Sequence, residues 1–172
     1  MFKKVCIIGC GLIGSSIARA IKKNNLSTKI VSSNRSDTTN KKVIKLNIVN
    51  DSSSDTKKMV EESDLIIIAT PLSSYKSLIF KIKNSLKNGA ILTDVGSVKE
   101  KAISLIEKNI PKNVSWISSH PIAGTEESGP EAGFSELFKD RWCIITPSSQ
   151  AKKRDIKLLR NFWKKIGSRV DI

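Results

Sequence analysis

The sequence predicts an α/β fold in which a doubly wound, mostly parallel β-sheet carries helices on both faces. Short, continuously apolar runs such as Val5 to Ile8 and Asp64 to Ala69 are typical of strands buried on both faces. Segments with helical spacing of apolar residues alternate with these runs along the chain. A glycine-rich turn, GCGLIG at positions 9–14, follows the first run at once. Together these observations predict a single domain over residues 1–172.

The elements of the first half follow from this alternation. The first helix, Leu12 to Lys23, has apolar residues at helical spacing directly after the glycine-rich turn. Thr70 and Pro71 stop the apolar strand that ends at Ala69. The other elements predicted before residue 90 are a strand at Lys29 to Ser33 and helices at Asn40 to Lys45, Thr56 to Glu62 and Tyr75 to Leu86.

The second half continues the pattern with one irregular segment. The elements predicted there are strands at Ala90 to Val95, Val114 to Ser118, Arg141 to Thr146 and Ser168 to Ile172, and helices at Val98 to Lys108 and Ala151 to Ile166. Between residues 118 and 140 the apolar periodicity is lost, apart from a short helix predicted around Phe134 to Phe138. A long irregular segment within a compact domain is often functional.

Composition and charge narrow the classes of partner. The formal net charge of +14 favours anionic ligands. The lysines lie in scattered pairs, and the single Tyr and three Trp show no interleaved stacking pattern, so we expect no nucleic-acid partner. The apolar run Val5 to Ile8 is too short for a signal peptide or a membrane span, so no membrane association is expected.

Cysteine usage predicts a reducing compartment. Cys6, Cys10 and Cys143 are odd in number and form neither a CxxC pair nor a cluster with histidine. The sequence therefore indicates no disulfide framework and no metal site. We expect a cytoplasmic protein.

The glycine-rich turn predicts a dinucleotide site of the Rossmann type. Gly9 allows the tight turn, Gly11 lets the backbone approach a pyrophosphate, and Gly14 lets the helix pack closely on the strand. The first helical residues, Leu12 and Ile13, then present backbone N–H groups to the phosphates. A glycine turn without a ligand is the alternative, and the strand-to-helix context argues against it.

The end of the second strand favours NADP over NAD. NAD-binding proteins of this type place a carboxylate about 20 residues past the last glycine, on the ribose 2′-hydroxyl. That position is Asn34, followed by Arg35 and Ser36, and all three can donate to a 2′-phosphate. The alternative is that Arg35 is merely exposed and that Asp37 serves NAD.

Three further strand ends are candidates for the rest of the site. Thr70 and Pro71, Ser97 in the DVGSVK motif, and His120 each follow a predicted strand, and ligands bind outside the carboxyl ends of parallel strands. Ser97 also forms a capping-box pattern with Glu100, which would explain it structurally. His120 is the only histidine, and a lone histidine is usually a surface or core residue.

The combination of motifs resembles one enzyme family. The glycine fingerprint, DVGSVK at positions 94–99 and SHPIAGTEESGPEAGFSELFKDRWCIITP at positions 119–147 are similar to the prephenate/arogenate dehydrogenases of tyrosine biosynthesis. The resemblance spans essentially the whole chain, and its second and third motifs are more selective than the first. It implies NAD(P)-dependent oxidative decarboxylation of an anionic cyclohexadienyl substrate, prephenate or arogenate.

The resemblance also assigns residues. It implies that His120 bonds the ring hydroxyl and accepts its proton, and that Ser97 lies by the nicotinamide, contacts the substrate and orients the histidine. It further implies that Gly124, Thr125 and Glu126 border the substrate side chain. Another reading of Glu126 is a solvated loop acid.

The family normally adds a C-terminal helical domain that forms a homodimer, and this chain ends before it. Without that domain, nucleotide binding could persist while turnover is lost. Two alternatives therefore stay open, a dinucleotide-binding module without catalysis and another dehydrogenase of the β-hydroxyacid type. The Asn34-Arg35-Ser36 segment resembles arogenate-using members more than NAD-using ones.

Overall fold

Eight strands form one sheet in the part of the chain that the structure describes. The computed structural model describes the backbone of residues 2–98 and 100–172 and the side chains of residues 2–98 and 104–172. The strands are β1 (Phe2–Ile8), β2 (Ser27–Ser33), β3 (Asp51–Ser53), β4 (Leu65–Ile68), β5 (Ile91–Asp94), β6 (Ser115–Pro121), β7 (Trp142–Pro147) and β8 (Arg169–Asp171). Their order across the sheet is β3-β2-β1-β4-β5-β6-β7-β8.

The sheet is parallel except at one pair of strands. β6 and β7 run antiparallel, with His120 opposite Ile144, and β8 pairs parallel with β7. The chain proceeds outward from β1 to β3 and then returns to place β4 on the other side of β1. Ligands of open α/β sheets bind outside the carboxyl ends of the strands at such a switch point. The turns after β1 and β4 therefore face the expected site.

Helices cover both faces of the sheet. They are α1 (Leu12–Lys23), α2 (Asp37–Lys45), α3 (Thr56–Val60), α4 (Tyr75–Ile82), α5 (Glu100–Glu107) and α6 (Lys153–Lys165). One buried cluster joins the sheet to α1, α2 and α6, and a second joins it to α3, α4 and α5. The predicted doubly wound, mostly parallel sheet is confirmed.

Besides shifted helix ends, such as α4 ending at Ile82 instead of Leu86, three features of the structure differ from the sequence predictions. β3 was not predicted, because this three-residue edge strand is polar and has no apolar run. Residues 134–138 form turns instead of the predicted helix; Leu137 and Phe138 are buried there, and Asp140 has a positive φ of 59°. β6 continues to Pro121, so His120 lies within the strand instead of after it.

Candidate active site

The three glycines of the first turn are each explained by a different feature of the structure. A Cβ on Gly14 would lie 2.1 Å from the carbonyl oxygen of Gly9, so α1 packs against the turn only because residue 14 is glycine. Gly9 has a φ of 94°, and a Cβ there would lie 2.7 Å from the Ala69 carbonyl oxygen. At Gly11 a Cβ would meet no protein atom within 4 Å. Packing within the described protein therefore does not require glycine at position 11, whereas a closely approaching ligand would.

The N-terminus of α1 is suited to an anion. Gly11 is the N-cap residue, no described side chain caps the helix, and its first turn contains no acidic residue. The hydroxyl of Ser15 donates to the Gly11 carbonyl and that of Ser16 donates to the Leu12 carbonyl, each at 2.7 Å. The N–H groups of the first helical turn, including those of Leu12 and Ile13, have no partner within an α-helix and favour a phosphate.

A cleft of about 740 Å³ opens beside this turn. Its walls bring together the predicted cofactor residues Gly9, Gly11, Asn34, Arg35, Ser36, Thr70 and Pro71. Gly129 and Pro130 complete it from the distant segment after β6. The described lining carries the cations of Arg35 and Lys81 and no carboxylate, so the cleft favours an anionic ligand.

Asn34 is held inside the protein by its own amide. Its Oδ1 accepts the N–H of Cys10 at 2.6 Å, and its Nδ2 donates to Asn40 Oδ1 at 3.0 Å and to hydroxyls of Ser32 and Ser52. These partners occupy the amide, and Asn34 is buried. Asn34 thus fixes the glycine-rich turn, and Arg35 and Ser36 are the exposed donors beside it. A contact between the Asn34 side chain and a phosphate stays a prediction.

Asp37 is the residue that would serve the ribose in the NAD alternative. It is exposed, it is the first residue of α2, and it lies outside the described lining of the cleft. A carboxylate in a first helical turn interacts favourably with the helix dipole, which is a structural reason for it.

Cys10 lies in the wall of the cleft without being a nucleophile. Burial raises the pKa of its thiol to about 11, although a hydrogen bond with Ser32 acts in the opposite direction. The thiol is therefore protonated at neutral pH, where a thiolate would be needed for nucleophilic chemistry.

His120 and Ser97 stand at the carboxyl edge of neighbouring strands. Successive side chains of a strand point to opposite faces, and Trp116 of β6 belongs to the cluster beneath α4 and α5. His120, four residues later, lies on that same face and is half-buried. Ser97 follows β5 in an exposed bend. The predicted capping box cannot be assigned, since the side chain of Glu100 lies outside the described residues.

Asp94, the first residue of the DVGSVK motif, ties these two strand ends together and has no role predicted from the sequence. Its Oδ1 accepts the Ser118 hydroxyl at 2.6 Å and the Ser119 N–H at 3.2 Å. Its Oδ2 accepts the Tyr75 hydroxyl at 3.0 Å and the Gly96 N–H at 3.2 Å. Burial, together with the negative charge of Asp94, raises the pKa of the Tyr75 hydroxyl, which stays protonated. The sequence signal for this role is a carboxylate at the end of an apolar strand.

A second pocket of about 430 Å³ follows His120 along the chain. Gly124 and Thr125 line it, together with the cationic residues Lys139 and Arg141 and the acidic residue Glu136. Glu126 is exposed next to Thr125, whose Oγ1 accepts the N–H of Glu127 at 3.3 Å. The predicted substrate residues Gly124 and Thr125 therefore line a different pocket from the 740 Å³ cleft. The segment after β6 contributes residues to both pockets.

That segment is fixed to the helix of the glycine-rich turn. A Cβ on Gly133 would lie 2.1 Å from Ser15 Oγ, and the N–H of Phe134 donates to Ser16 Oγ at 3.1 Å. Two exposed ion pairs, Lys42 with Glu131 and Lys23 with Glu136, lie on either side of this contact. The connection between the two pockets is therefore a packed part of the domain.

The described residues contain neither a candidate metal cluster nor a helix that could span a membrane. No group of three or more His, Cys, Asp and Glu residues is arranged to hold a metal ion there. Within the same residues, every helix is too short or too polar to cross a bilayer.

The switch-point cleft, the glycine turn and the open helix N-terminus define a dinucleotide-binding domain of the Rossmann type. The family model described as the nucleotide-binding domain of prephenate dehydrogenase matches residues 17–172. The chain belongs to this family.

Relatives and a solved structure agree with this assignment. The chain is 34% identical to cyclohexadienyl dehydrogenase of Zymomonas mobilis over 172 residues, which are 100% of this chain and 58% of that protein. It is 32% identical to prephenate dehydrogenase of Bacillus subtilis over 161 residues, covering 93% of this chain and 43% of that one. The structure of prephenate dehydrogenase from A. aeolicus with hydroxyphenyl propionate and NAD+ superposes with a TM-score of 0.91 at 26% identity, covering 99% of this chain and 59% of that chain. The chain thus spans about half the length of these relatives.

Proposed function

We propose that this chain is the dinucleotide-binding and catalytic-motif domain of an NADP-preferring dehydrogenase that oxidatively decarboxylates prephenate or arogenate in tyrosine biosynthesis. The observation that carries the proposal is the placement of the single histidine at the sheet edge that also bears the dinucleotide cleft. Family membership and the names of the relatives, cyclohexadienyl and prephenate dehydrogenase, support the substrate class.

The residues present fit a dinucleotide. The open space at Gly11 and the uncapped first turn of α1 suit a pyrophosphate, and the cleft is within the usual size of cofactor sites. Arg35 and Ser36 would hold the 2′-phosphate of NADP, because both are exposed at the cleft and no described lining residue would repel that phosphate. When bound, the dinucleotide supplies a hydride acceptor.

His120 would handle the proton of this reaction. The substrate carries a hydroxyl on the ring carbon that loses hydride, and a neutral imidazole can accept the hydroxyl proton as positive character develops on that carbon. Loss of CO2 then leaves its bonding electrons in the ring, which becomes aromatic. The proton held on His120 can return to the ring oxygen, so the oxidation and decarboxylation release no net proton.

The remaining roles follow the motif resemblance. Ser97 would lie by the nicotinamide and help to orient His120, and Gly124, Thr125 and Glu126 would border the substrate side chain. The cations of Lys139 and Arg141 outnumber the Glu136 carboxylate in the same pocket, and this net positive charge suits a substrate carboxylate. We also propose that the protein is a cytoplasmic homodimer. The dimer contacts would come from sequence that corresponds to the part of the relatives outside the match.

The test is an assay of four pairings. The chain, together with any natural sequence that continues it, is given prephenate or arogenate with NADP+ or NAD+, and reduced dinucleotide is followed by absorbance. We expect turnover with one of the two substrates and a higher kcat/KM with NADP+. A folded protein that binds dinucleotide and turns over neither substrate would contradict the proposal and favour the binding module.

A further inference from the structure

We infer that Asp94 is the positioning residue for His120, acting through the end of β6. The expected effect of Asp94 on turnover rests on the function proposed above. Its expected effect on the position of the His120 side chain does not. Asp94 is completely buried at the last position of β5 and touches groups from three elements: α4, the turn after β5 and β6.

The carboxylate stands where two parallel strands separate. Backbone pairing between β5 and β6 runs through Ile91 with Ser115 and Leu92 with Trp116. Beyond this last pair, the N–H of Ser119 donates to the Asp94 side chain. At that point the side chain of Asp94 takes the place of a backbone acceptor, so the spacing of the strand ends depends on it.

Four described hydrogen bonds reach the two oxygens of Asp94. Oδ1 accepts one hydroxyl and one backbone N–H from β6, those of Ser118 and Ser119. Oδ2 accepts one hydroxyl and one backbone N–H from the other side, those of Tyr75 and Gly96. A hydroxyl can rotate to a new acceptor, whereas a backbone N–H cannot. The two N–H bonds are therefore the ones that fix the geometry.

These two bonds hold the segments that carry the proposed catalytic residues. Ser119 immediately precedes His120, and Gly96 immediately precedes Ser97. Asp94, Ser118 and His120 lie on the same face of the sheet, as shown by the Tyr75 and Ser118 contacts and by strand alternation. One buried carboxylate thus sets the position of the histidine relative to the serine-bearing turn.

A substitution of nearly identical shape isolates this role. Asp94→Asn keeps the volume of the side chain but makes one end a donor, so it can accept only one of the two backbone N–H groups. The link on one side must break. Tyr75→Phe is the matched control, since it removes one buried hydrogen bond from the same carboxylate and leaves both backbone links intact.

Histidine NMR gives a readout that does not need activity. His120 is the only histidine, so a chain without a histidine tag gives a single set of imidazole resonances. We expect Asp94→Asn to shift or broaden them and Tyr75→Phe to leave them near their wild-type positions. Unchanged resonances in folded Asp94→Asn would overturn the inference. If that variant does not fold, Asp94→Ser replaces it, because a single hydroxyl oxygen cannot accept both backbone N–H groups. Resonances shifted no more than in Tyr75→Phe would then overturn the inference.

Kinetics separate positioning from general destabilisation. In the assay pairing that the wild type uses, we expect Asp94→Asn to lower kcat by about 10²-fold, as a misplaced catalytic group does, with the Kd for dinucleotide unchanged. Equal losses of kcat in Asp94→Asn and Tyr75→Phe would indicate a merely structural role and overturn the inference. A wild type without turnover would count against the proposed function alone, because the NMR comparison would still decide the role of Asp94.

Discussion

At the residue scale, the proposed chemistry depends on one imidazole. We expect His120→Asn to keep the fold and the dinucleotide affinity and to lower kcat by at least about 10²-fold, because asparagine can hydrogen-bond the substrate hydroxyl but cannot take its proton. Steady-state kinetics and a dinucleotide titration measure the two effects separately. Turnover at the wild-type rate would remove His120 from the mechanism.

Arg35 gives a second residue-scale prediction, on cofactor preference. A charge-assisted hydrogen bond contributes about 1.5–3 kcal/mol, so Arg35→Ala should weaken NADP+ binding by about tenfold or more and leave the Kd for NAD+ nearly unchanged. Calorimetric titration with each dinucleotide measures this.

The control is Arg154→Ala, which removes the same charge from an exposed position on α6. It reports any long-range effect of net charge on dinucleotide binding. If both variants weakened NADP+ binding equally, Arg35 would act through the overall field of the protein and not through a contact with the 2′-phosphate.

At the element scale, Asp64 joins three strands where they begin. Its Oδ2 accepts the N–H groups of Lys3 at 2.7 Å and Lys4 at 3.2 Å in β1, and its Oδ1 pairs with Lys87 Nζ at 2.7 Å, ahead of β5. Burial acts to raise the pKa of Asp64, but the hydrogen bonds from Lys87 and from the two backbone N–H groups outweigh it and lower the pKa overall. The ionised carboxylate therefore stabilises the start of the sheet.

The lowered pKa predicts how this stabilisation changes with pH. A carboxyl group whose pKa is lower in the folded state stabilises the protein above its unfolded pKa, near 4, and loses the effect as pH falls through the folded value. We expect Asp64→Asn to lower the free energy of unfolding by about 1 kcal/mol at pH 7. The difference should shrink progressively below about pH 4. Urea unfolding at several pH values measures it, and a pH-independent difference would contradict the prediction.

The predictability of each element depended on how local its cause is. Apolar runs and helical spacing were sufficient to predict a sheet covered on both faces, because each buried strand is itself apolar, as in Leu65–Ile68. The end of β6 was not predictable in this way, since Ser118, Ser119 and His120 are polar and their ladder comes from β7, more than 20 residues away. The roles of Asn34 and Asp94 were missed for the same reason: their partners are distant in sequence.

At the scale of the whole molecule, the cleft proposed to bind dinucleotide exists only in the folded state. Its walls come from the turn after β1, the end of β2, the turn after β4 and Gly129–Pro130, segments that folding brings together across 120 residues of sequence. The cleft also spans both sides of the topological switch between β1 and β4. A ligand that requires all of these walls binds the native protein and not the unfolded chain.

Mass action then predicts that dinucleotide raises the thermal stability of the domain. At a free concentration of about 100 times Kd, NADP+ should add about 2.7 kcal/mol to the free energy of unfolding. For a domain of this size that corresponds to a rise in Tm of about 5–10 °C, measured by calorimetry. NAD+ at the same concentration should give a smaller rise, because it lacks the 2′-phosphate that Arg35 and Ser36 would contact. Nicotinamide mononucleotide is the control, since it cannot reach the end of β2, and a rise in Tm as large as that with NADP+ would show that the cleft is not the binding site.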